Sequence, residues 1–317
     1  MANSLPLPSW PDLPPPVRAR ISKELGARVL GWKNLPADVV PGAKLQVQTS
    51  LGSVVLTVVS ISDADGLEVA RREIAVVRAL PKGAPAPELL WSFDEDFGDF
   101  GHWIVAGWGM RVVRPVGPEW TQEEVAATLG VLRQVNEIEA PPGAPYLEAR
   151  ELFAAGSWIR LANERPDGLR GFSPWLEPRL DALAQIAAHT AEAVSGSHLL
   201  HGAPDRRTLM IPLSPQEQGI AVGWFRAARG APFVDVIQLL AQIRTDGGPA
   251  PEVVLAQHPL PPTVDPDAVT CLVTALTGQY IEQALGPVPA AGTTQRAPAQ
   301  HALARVCVEW LRRRLGF

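Results

Sequence analysis

The sequence predicts an α+β fold with two lobes, in which a small N-terminal β-sheet with one helix precedes a larger, mainly helical C-terminal lobe. Short segments of alternating, β-branched apolar residues dominate residues 28–107, whereas apolar residues at helical spacing recur from residue 121 onwards. Runs of strands followed by runs of helices are typical of α+β proteins. A chain of 317 residues is long enough for two lobes with a substantial core.

The composition excludes several classes of function. Although 46% of the residues are apolar, no apolar run approaches the ~20 residues that span a bilayer, so we expect no membrane segment. The net charge of -5 and the lack of a long Lys/Arg block argue against nucleic-acid binding. The first 20 residues lack the basic and apolar regions of a signal peptide, which indicates a cytoplasmic protein. Cys271 and Cys307 lie within helical patterns, and we interpret both as buried apolar residues rather than as disulfide or metal ligands.

The N-terminal lobe is predicted to span residues 1–107. After a proline-rich lead-in, a short helix is expected over residues 17–25 and ends at Gly26. The alternating segments predict strands over residues 28–33, 44–49, 53–60, 85–91 and 102–106. The one helix of this lobe is expected over residues 67–80, between the third and fourth strands.

A hinge over residues 108–118 is predicted to lead into a helical lobe over residues 119–317. The sequence from Thr121 to Glu124 matches a capping box, which opens the first helix of that lobe. Further helical patterns cover residues 146–163, 174–194, 232–244, 265–285 and 298–315. Residues 199–224 differ from these helices, because short apolar runs there flank a polar loop and a turn.

This segment carries the pattern on which the functional interpretation depends. It contains His201-Gly202-Ala203-Pro204-Asp205-Arg206-Arg207-Thr208-Leu209-Met210 and then, after a hairpin, Ala221-Val222-Gly223-Trp224. The pattern resembles the aminoglycoside phosphotransferase and choline kinase-like superfamily in its bacterial branch, where H-(G/L)-D-x-x-x-x-N-L-L precedes V-V-D-W. The resemblance implies a bilobal, protein-kinase-like fold. The residues retained at family spacing are His201, Trp224, Ala227, Gly230 and Asp235.

The chemical residues of that family are replaced. The resemblance places the catalytic aspartate on Ala203, the metal-binding asparagine on Thr208 and the second metal-binding aspartate on Gly223. Magnesium prefers an octahedral set of oxygen ligands, and these residues offer one neutral hydroxyl among them. We therefore expect no metal site. Asp205, two positions after Ala203, is the candidate for a substitute base.

The phosphate-binding parts of the small lobe are also incomplete. Gly42 is the one glycine left in the turn where the resemblance implies a glycine-rich, phosphate-covering loop, and the family lysine falls on Thr57 or Val58. The helical glutamate that would pair with this lysine is present as Glu73, for which an ordinary solvated surface position is the alternative. ATP and Mg²⁺, the cofactors that the resemblance implies, are therefore expected not to bind.

We interpret the chain as an inactive phosphotransferase-like protein, a pseudokinase, that binds or scaffolds a protein or peptide. By analogy, the partner would be a peptide or an enzyme of a bacterial natural-product pathway. His201, Trp224 and Asp235 would be structural remnants, with Asp235 either anchoring the catalytic loop or serving as a simple helix N-terminal acid. Two alternatives stay open: an active phosphotransferase with a relocated base such as Asp205, and a small-molecule binder that acts in sequestration or resistance.

Overall fold

The computed structural model describes residues 8–36, 42–153, 156–214, 216–286 and 296–317. Its N-terminal part is a five-stranded antiparallel sheet in the order β1-β2-β3-β5-β4. The strands are β1 (Val29–Leu35), β2 (Ala43–Thr49), β3 (Gly52–Ser60), β4 (Leu89–Asp96) and β5 (His102–Gly109). The structure therefore has the mixed α+β architecture that the sequence predicts.

One helix covers each face of this sheet. Helix α1 (Pro15–Leu25) packs on one face, where its Val17 and Ile21 are buried with Leu56 and Val58 of β3. Helix α2 (Ala64–Ala79) packs on the other face, in an apolar cluster that includes Val59. Because successive side chains of a strand point to opposite faces, the strands of this sheet supply both cores. On β3, the same alternation places neighbouring residues such as Thr57 and Val58 on opposite faces of the sheet.

The ends of these elements follow local capping. Gly26 ends α1 in the left-handed region at φ 62°. Helix α2 begins three residues before its predicted start, because the side chain of Asp63 accepts the N–H of Gly66 at 2.9 Å and caps the helix. Strand β5 runs to Gly109, two residues into the segment predicted as the hinge.

Two small sheets lie beyond the five-stranded sheet. In the first, strand β6 (Val113–Pro115) lies inside the predicted hinge and pairs with β9, which also pairs with β10. In the second, the order is β7-β11-β8. Their remaining strands are β7 (Leu147–Glu148), β8 (His198–Leu200), β9 (Leu209–Pro212), β10 (Ile220–Ala221) and β11 (Ala228–Gly230).

The rest of the chain is mainly helical. Its helices are α3 (Gln122–Asn136), α4 (Ala149–Leu152), α5 (Gly156–Glu164), α6 (Leu180–Ala188), α7 (Thr190–Ala193), α8 (Val234–Thr245), α9 (Pro251–Gln257), α10 (Pro266–Leu285) and α11 (Arg296–Arg314). The fully buried Trp158 ties α5 to α10, since its indole N–H donates to the carbonyl of Thr274 at 2.6 Å. None of the described helices is long and apolar enough to cross a membrane. Cys271 and Cys307 are both free thiols.

Candidate functional site

A side chain of helix α8 holds the loop that begins at His201. Asp235 lies in the first turn of α8 and is fully buried. Its carboxylate accepts the backbone N–H of His201 at 2.7 Å and that of Gly202 at 2.9 Å. The side-chain amide of Asn136 donates to the same carboxylate at 3.1 Å and to the carbonyl of Leu199 at 3.1 Å. Asp235 thus satisfies three buried donors and sets the path of the loop.

His201 joins this loop to the segment that follows β10. Its ring is fully buried, and Nε2 lies 2.9 Å from the carbonyl oxygen of Val222, which assigns a proton to Nε2. Burial lowers the pKa of His201, against the opposing charge of Asp235. The ring meets Trp224 edge-on at 5.1 Å between centroids. A neutral histidine in this setting is a structural contact rather than a cation that faces a ligand.

Thr208, where the resemblance places the metal-binding asparagine, directs its hydroxyl at the backbone of its own loop. It is fully buried, and its hydroxyl accepts the N–H of Asp205 at 2.9 Å. The same hydroxyl lies 3.1 Å from the carbonyl of Asp205 and 3.3 Å from that of Ala203. These backbone contacts occupy the only side-chain oxygen at this position. Ala203 itself is half-buried and contributes no polar side chain.

Asp205, the candidate substitute base, forms the other half of that turn. One carboxylate oxygen accepts the N–H of Arg207 at 2.7 Å and the N–H of Thr208 at 3.0 Å. The second oxygen pairs with the guanidinium of Arg207, at 2.6 Å from Nη2. A general base needs a lone pair within hydrogen-bond reach of the hydroxyl that it deprotonates. In this structure both oxygens of Asp205 cap and brace the turn instead.

Gly223, where the resemblance places the second metal-binding aspartate, contacts helix α2. Gly223 adopts φ 78° and ψ 48°, in the left-handed region, and its N–H donates to Oε1 of Glu73 at 3.1 Å. The neighbouring Arg72 donates from Nε to the carbonyl of Phe225 at 2.7 Å and from Nη2 to that of Pro145 at 3.1 Å. We call these contacts of Arg72 and Glu73 the α2 latch. Glu73 is 5% exposed, so its interpretation as a solvated surface residue is wrong.

A lysine for Glu73 comes from β2 rather than from β3, the strand on which the resemblance places it. Lys44 of β2 lies directly opposite Thr57 of β3, and opposite residues of an antiparallel pair share a face of the sheet. Burial raises the pKa of Glu73, and the largest opposing influence is the charge of Lys44. Lys44 therefore lies on the α2 face and acts electrostatically on Glu73. The resemblance places the lysine on β3 and therefore does not indicate Lys44. A local signal exists nonetheless, because Lys44 stands between the apolar residues Ala43 and Leu45, as half-buried strand positions do.

Thr57 and Val58, the two candidates for the lysine position, face opposite sides. Val58 is buried in the core under α1, which puts it on the wrong face for this role. Thr57 faces α2, where its hydroxyl accepts the indole N–H of Trp108 at 3.0 Å in a buried bond. Gly42 has φ 94°, and a Cβ there would lie 2.4 Å from the carbonyl oxygen of Val58. Close packing on β3 therefore accounts for Gly42.

No metal-binding cluster forms at these positions. In the described parts of the chain, no group of three or more His, Cys, Asp or Glu side chains has the arrangement of a metal site. Ala203, Thr208 and Gly223 supply no carboxylate, and Asp205 is engaged in its own turn. The residues present do not fit Mg²⁺, which requires several oxygen ligands at close range.

The fold of this chain is similar to that of solved structures. No protein-family model matches the sequence, and no curated protein matches it. Solved structures do match, over nearly the whole chain. The chain has the fold shared by the aminoglycoside phosphotransferase and choline kinase-like superfamily.

Three of these structures show the extent of the similarity. Aminoglycoside phosphotransferase APH(4)-Ia superposes with a TM-score of 0.57 at 14% identity, covering 92% of this chain and 97% of the other. Choline kinase LicA from Streptococcus pneumoniae gives 0.52 at 13% identity, covering 91% and 97%. Spectinomycin phosphotransferase APH(9)-Ia, in complex with ADP and spectinomycin, gives 0.52 at 11% identity, covering 92% and 97%. At these identities the similarity establishes the fold and leaves the activity to be argued from the site.

Proposed function

We propose that this chain is a catalytically inactive protein of phosphotransferase fold that serves as a binding or scaffolding partner for a protein or peptide. The observation that carries the proposal is the α2 latch. The carboxylate of Glu73, which in kinases pairs with the phosphate-binding lysine, here accepts the N–H of Gly223. Gly223 is the residue at which the resemblance implies a metal-binding aspartate. An internal hydrogen bond thus links the position that catalysis would use to hold the lysine with the position that it would use to hold a metal ion.

The loss of chemistry is expected to be severe, because several independent elements are missing together. Removing a general base alone typically lowers a rate by ~10²- to 10⁴-fold. The metal that would neutralise phosphate charge also has no carboxylate ligand at Ala203, Thr208 or Gly223. A relocated base at Asp205 is disfavoured, because both of its carboxylate oxygens are engaged by Arg207 and Thr208.

The proposal is tested by nucleotide binding and by phosphotransfer. A ligand that binds the native state at a hundredfold excess over Kd stabilises it by about 2.7 kcal/mol. We expect no shift in Tm with millimolar ATP and Mg²⁺ or Mn²⁺, and no transfer from ATP to choline, an aminoglycoside or a peptide. A metal-dependent shift in Tm accompanied by phosphotransfer would contradict the proposal.

Calorimetry separates this proposal from sequestration of a small molecule. One structural neighbour binds spectinomycin together with ADP, and spectinomycin and hygromycin B are suitable probes. We expect neither to bind at micromolar concentration, since polycationic ligands need acidic side chains and the three replaced positions contribute none. Micromolar binding of either antibiotic would favour sequestration over a protein or peptide partner.

A further inference from the structure

Strand β1 forms one edge of the five-stranded sheet. It lies at the end of the strand order, and no strand of the described residues pairs with its outer side. Two large apolar residues on it are exposed, Leu30 by 66% and Trp32 by 49%. An exposed edge strand presents unpaired N–H and C=O groups that can pair with another chain, and proteins usually protect such edges. This edge has the features of a docking strand.

The two faces of β1 differ in chemistry. Trp32 lies opposite Val47, which is buried under α1, whereas Lys33 lies opposite Gln46. Because paired residues share a face, the indole of Trp32 is on the α1 face and the ammonium of Lys33 is on the α2 face. An added strand would therefore meet an aromatic surface on one side and a positive charge on the other. A register shift between residues 29 and 31 restricts the regular edge to residues 31–35.

The positive charge of β1 favours an acidic partner strand over a second copy of this chain. Residues 28–35 carry Arg28 and Lys33 and contain no carboxylate, although the whole chain has a net charge of -5. Antiparallel pairing of β1 with a second copy would bring these cations together, and like charges across strands are destabilising. A strand with acidic side chains on one face and apolar side chains on the other complements both Lys33 and Trp32.

We propose that the β1 edge binds an extended peptide with alternating apolar and acidic residues by adding it as a sixth strand. This inference rests on the proposed function, for which it names the class of partner. Backbone hydrogen bonds along residues 31–35 would supply affinity, and the alternation of side chains would supply specificity. The chain would then present its kinase-like sheet, rather than its cleft, to the partner.

Fluorescence anisotropy with a labelled peptide tests this proposal on the full chain. The probe is a peptide of about ten residues that alternates valine and glutamate, long enough to cover the edge. A peptide of the same composition, with valines and glutamates in separate blocks, controls for charge alone. We expect the alternating peptide to bind at least about tenfold more tightly, and Lys33→Glu to weaken it by about tenfold. Trp32→Ser should weaken binding similarly, because it removes the apolar contact.

Matched controls make the outcome decisive. Lys82→Glu makes the same charge change at an exposed residue of the loop between α2 and β4 and should leave binding unaltered. A peptide alternating valine and lysine should bind the Lys33→Glu variant better than the natural chain. Equal binding of the alternating and block peptides, an equal loss with Lys82→Glu, or a β1-dependent dimer in sedimentation would overturn the proposal.

The result does not depend on the phosphotransfer assay. A chain that transfers phosphate and still binds the alternating peptide through Lys33 refutes only the proposed inactivity. An inactive chain that does not bind this peptide refutes only the β1 site.

Discussion

Replacing Glu73 by glutamine separates the charge of the α2 latch from its hydrogen bond. Glutamine keeps an oxygen that can accept the N–H of Gly223, now 3.1 Å from Oε1, but removes a buried charge. Burial raises the pKa of Glu73 above its ordinary value of 4.5, so the ionised form is disfavoured in the folded protein. At pH 7 we expect Glu73→Gln to be as stable as the natural chain or more stable by about 1 kcal/mol. Glu73→Ala orphans a buried donor and should cost about 1–3 kcal/mol.

The sign of the pH dependence follows from the raised pKa. Because the folded pKa of Glu73 exceeds the unfolded one, its contribution to stability is fully present below pH 4.5 and is lost as pH rises through the folded pKa. Glutamine does not titrate. The free energy of unfolding of Glu73→Gln, relative to the natural chain, should therefore increase as pH is raised from 4.5 towards neutrality.

Lys44 reduces this pH dependence, because its charge opposes the effect of burial on the pKa of Glu73. Coulomb's law gives about 4 kcal/mol for two unit charges about 4 Å apart at an effective dielectric constant of about 20, and less at longer range. Lys44→Met should therefore destabilise the natural chain by about 1–2 kcal/mol at pH 7 but change the Glu73→Gln variant much less. It should also raise the pKa of Glu73 further, because the charge that opposes burial is removed. A double-mutant cycle isolates this coupling energy.

Urea denaturation of the four proteins, from pH 4.5 to 8, measures these quantities. Equal m-values would show that the unfolded states are comparable. If Glu73→Gln lost as much stability as Glu73→Ala at pH 7, the carboxylate charge itself would be required and the reasoning from burial would fail. A coupling energy near zero between Lys44 and Glu73 would refute the electrostatic role of the relocated lysine.

Three further outcomes are expected around the loop. Asp235→Ala should cost about 3–5 kcal/mol in urea denaturation, because it leaves several buried donors without an acceptor; a cost below about 1 kcal/mol would contradict its anchoring role. Asp205→Asn should cost about 1 kcal/mol and leave the background rate of ATP hydrolysis unchanged, whereas loss of a measurable rate would identify a base. Combining Ala203→Asp, Thr208→Asn and Gly223→Asp should not restore phosphotransfer, because misplacing phosphates by ~1 Å already costs ~10²-fold; ATP hydrolysis by this variant would show an intact nucleotide cleft.

The arrangement of the sheet lobe could be predicted because local signals agree with its packing. Period-two alternation reflects burial on the two faces that α1 and α2 cover. Gly26 ends α1 in the conformation that glycine favours. Capping moved the start of α2 to Ala64, where the side chain of Asp63 replaces a helical acceptor, and such shifts are common at helix ends.

Other features depend on partners distant in sequence. The pattern over residues 146–163 predicts one helix, yet Leu147 and Glu148 form β7, because Ala228 and Arg229 pair with them in parallel. Helix α9 has no counterpart in the prediction, since it spans only Pro251–Gln257, too short for a clear period. In both places tertiary pairing or length, rather than propensity, decides the structure.

The site shows the same limit for polar residues. The missing side chains at Ala203 and Gly223 can be read from the sequence, but the bond between Gly223 and Glu73 spans 150 positions. The electrostatic partner of Glu73 depends on the register that places Lys44 opposite Thr57. Neither relation leaves a local sequence signal, because side-chain chemistry alone does not specify register or distance.

Hydrogen bonds within the protein would make the site hard to restore one residue at a time. Thr57 accepts from Trp108, the Thr208 hydroxyl closes its own turn, and Glu73 accepts from the Gly223 N–H. A nucleotide site leaves such polar groups for its ligand, whereas here each accepts a hydrogen bond from another group of the protein. Leaving a buried donor unpaired costs about 1–3 kcal/mol, so reverting Thr57 or Thr208 alone would lose stability before it gained chemistry. Selection for the fold alone would therefore preserve this arrangement.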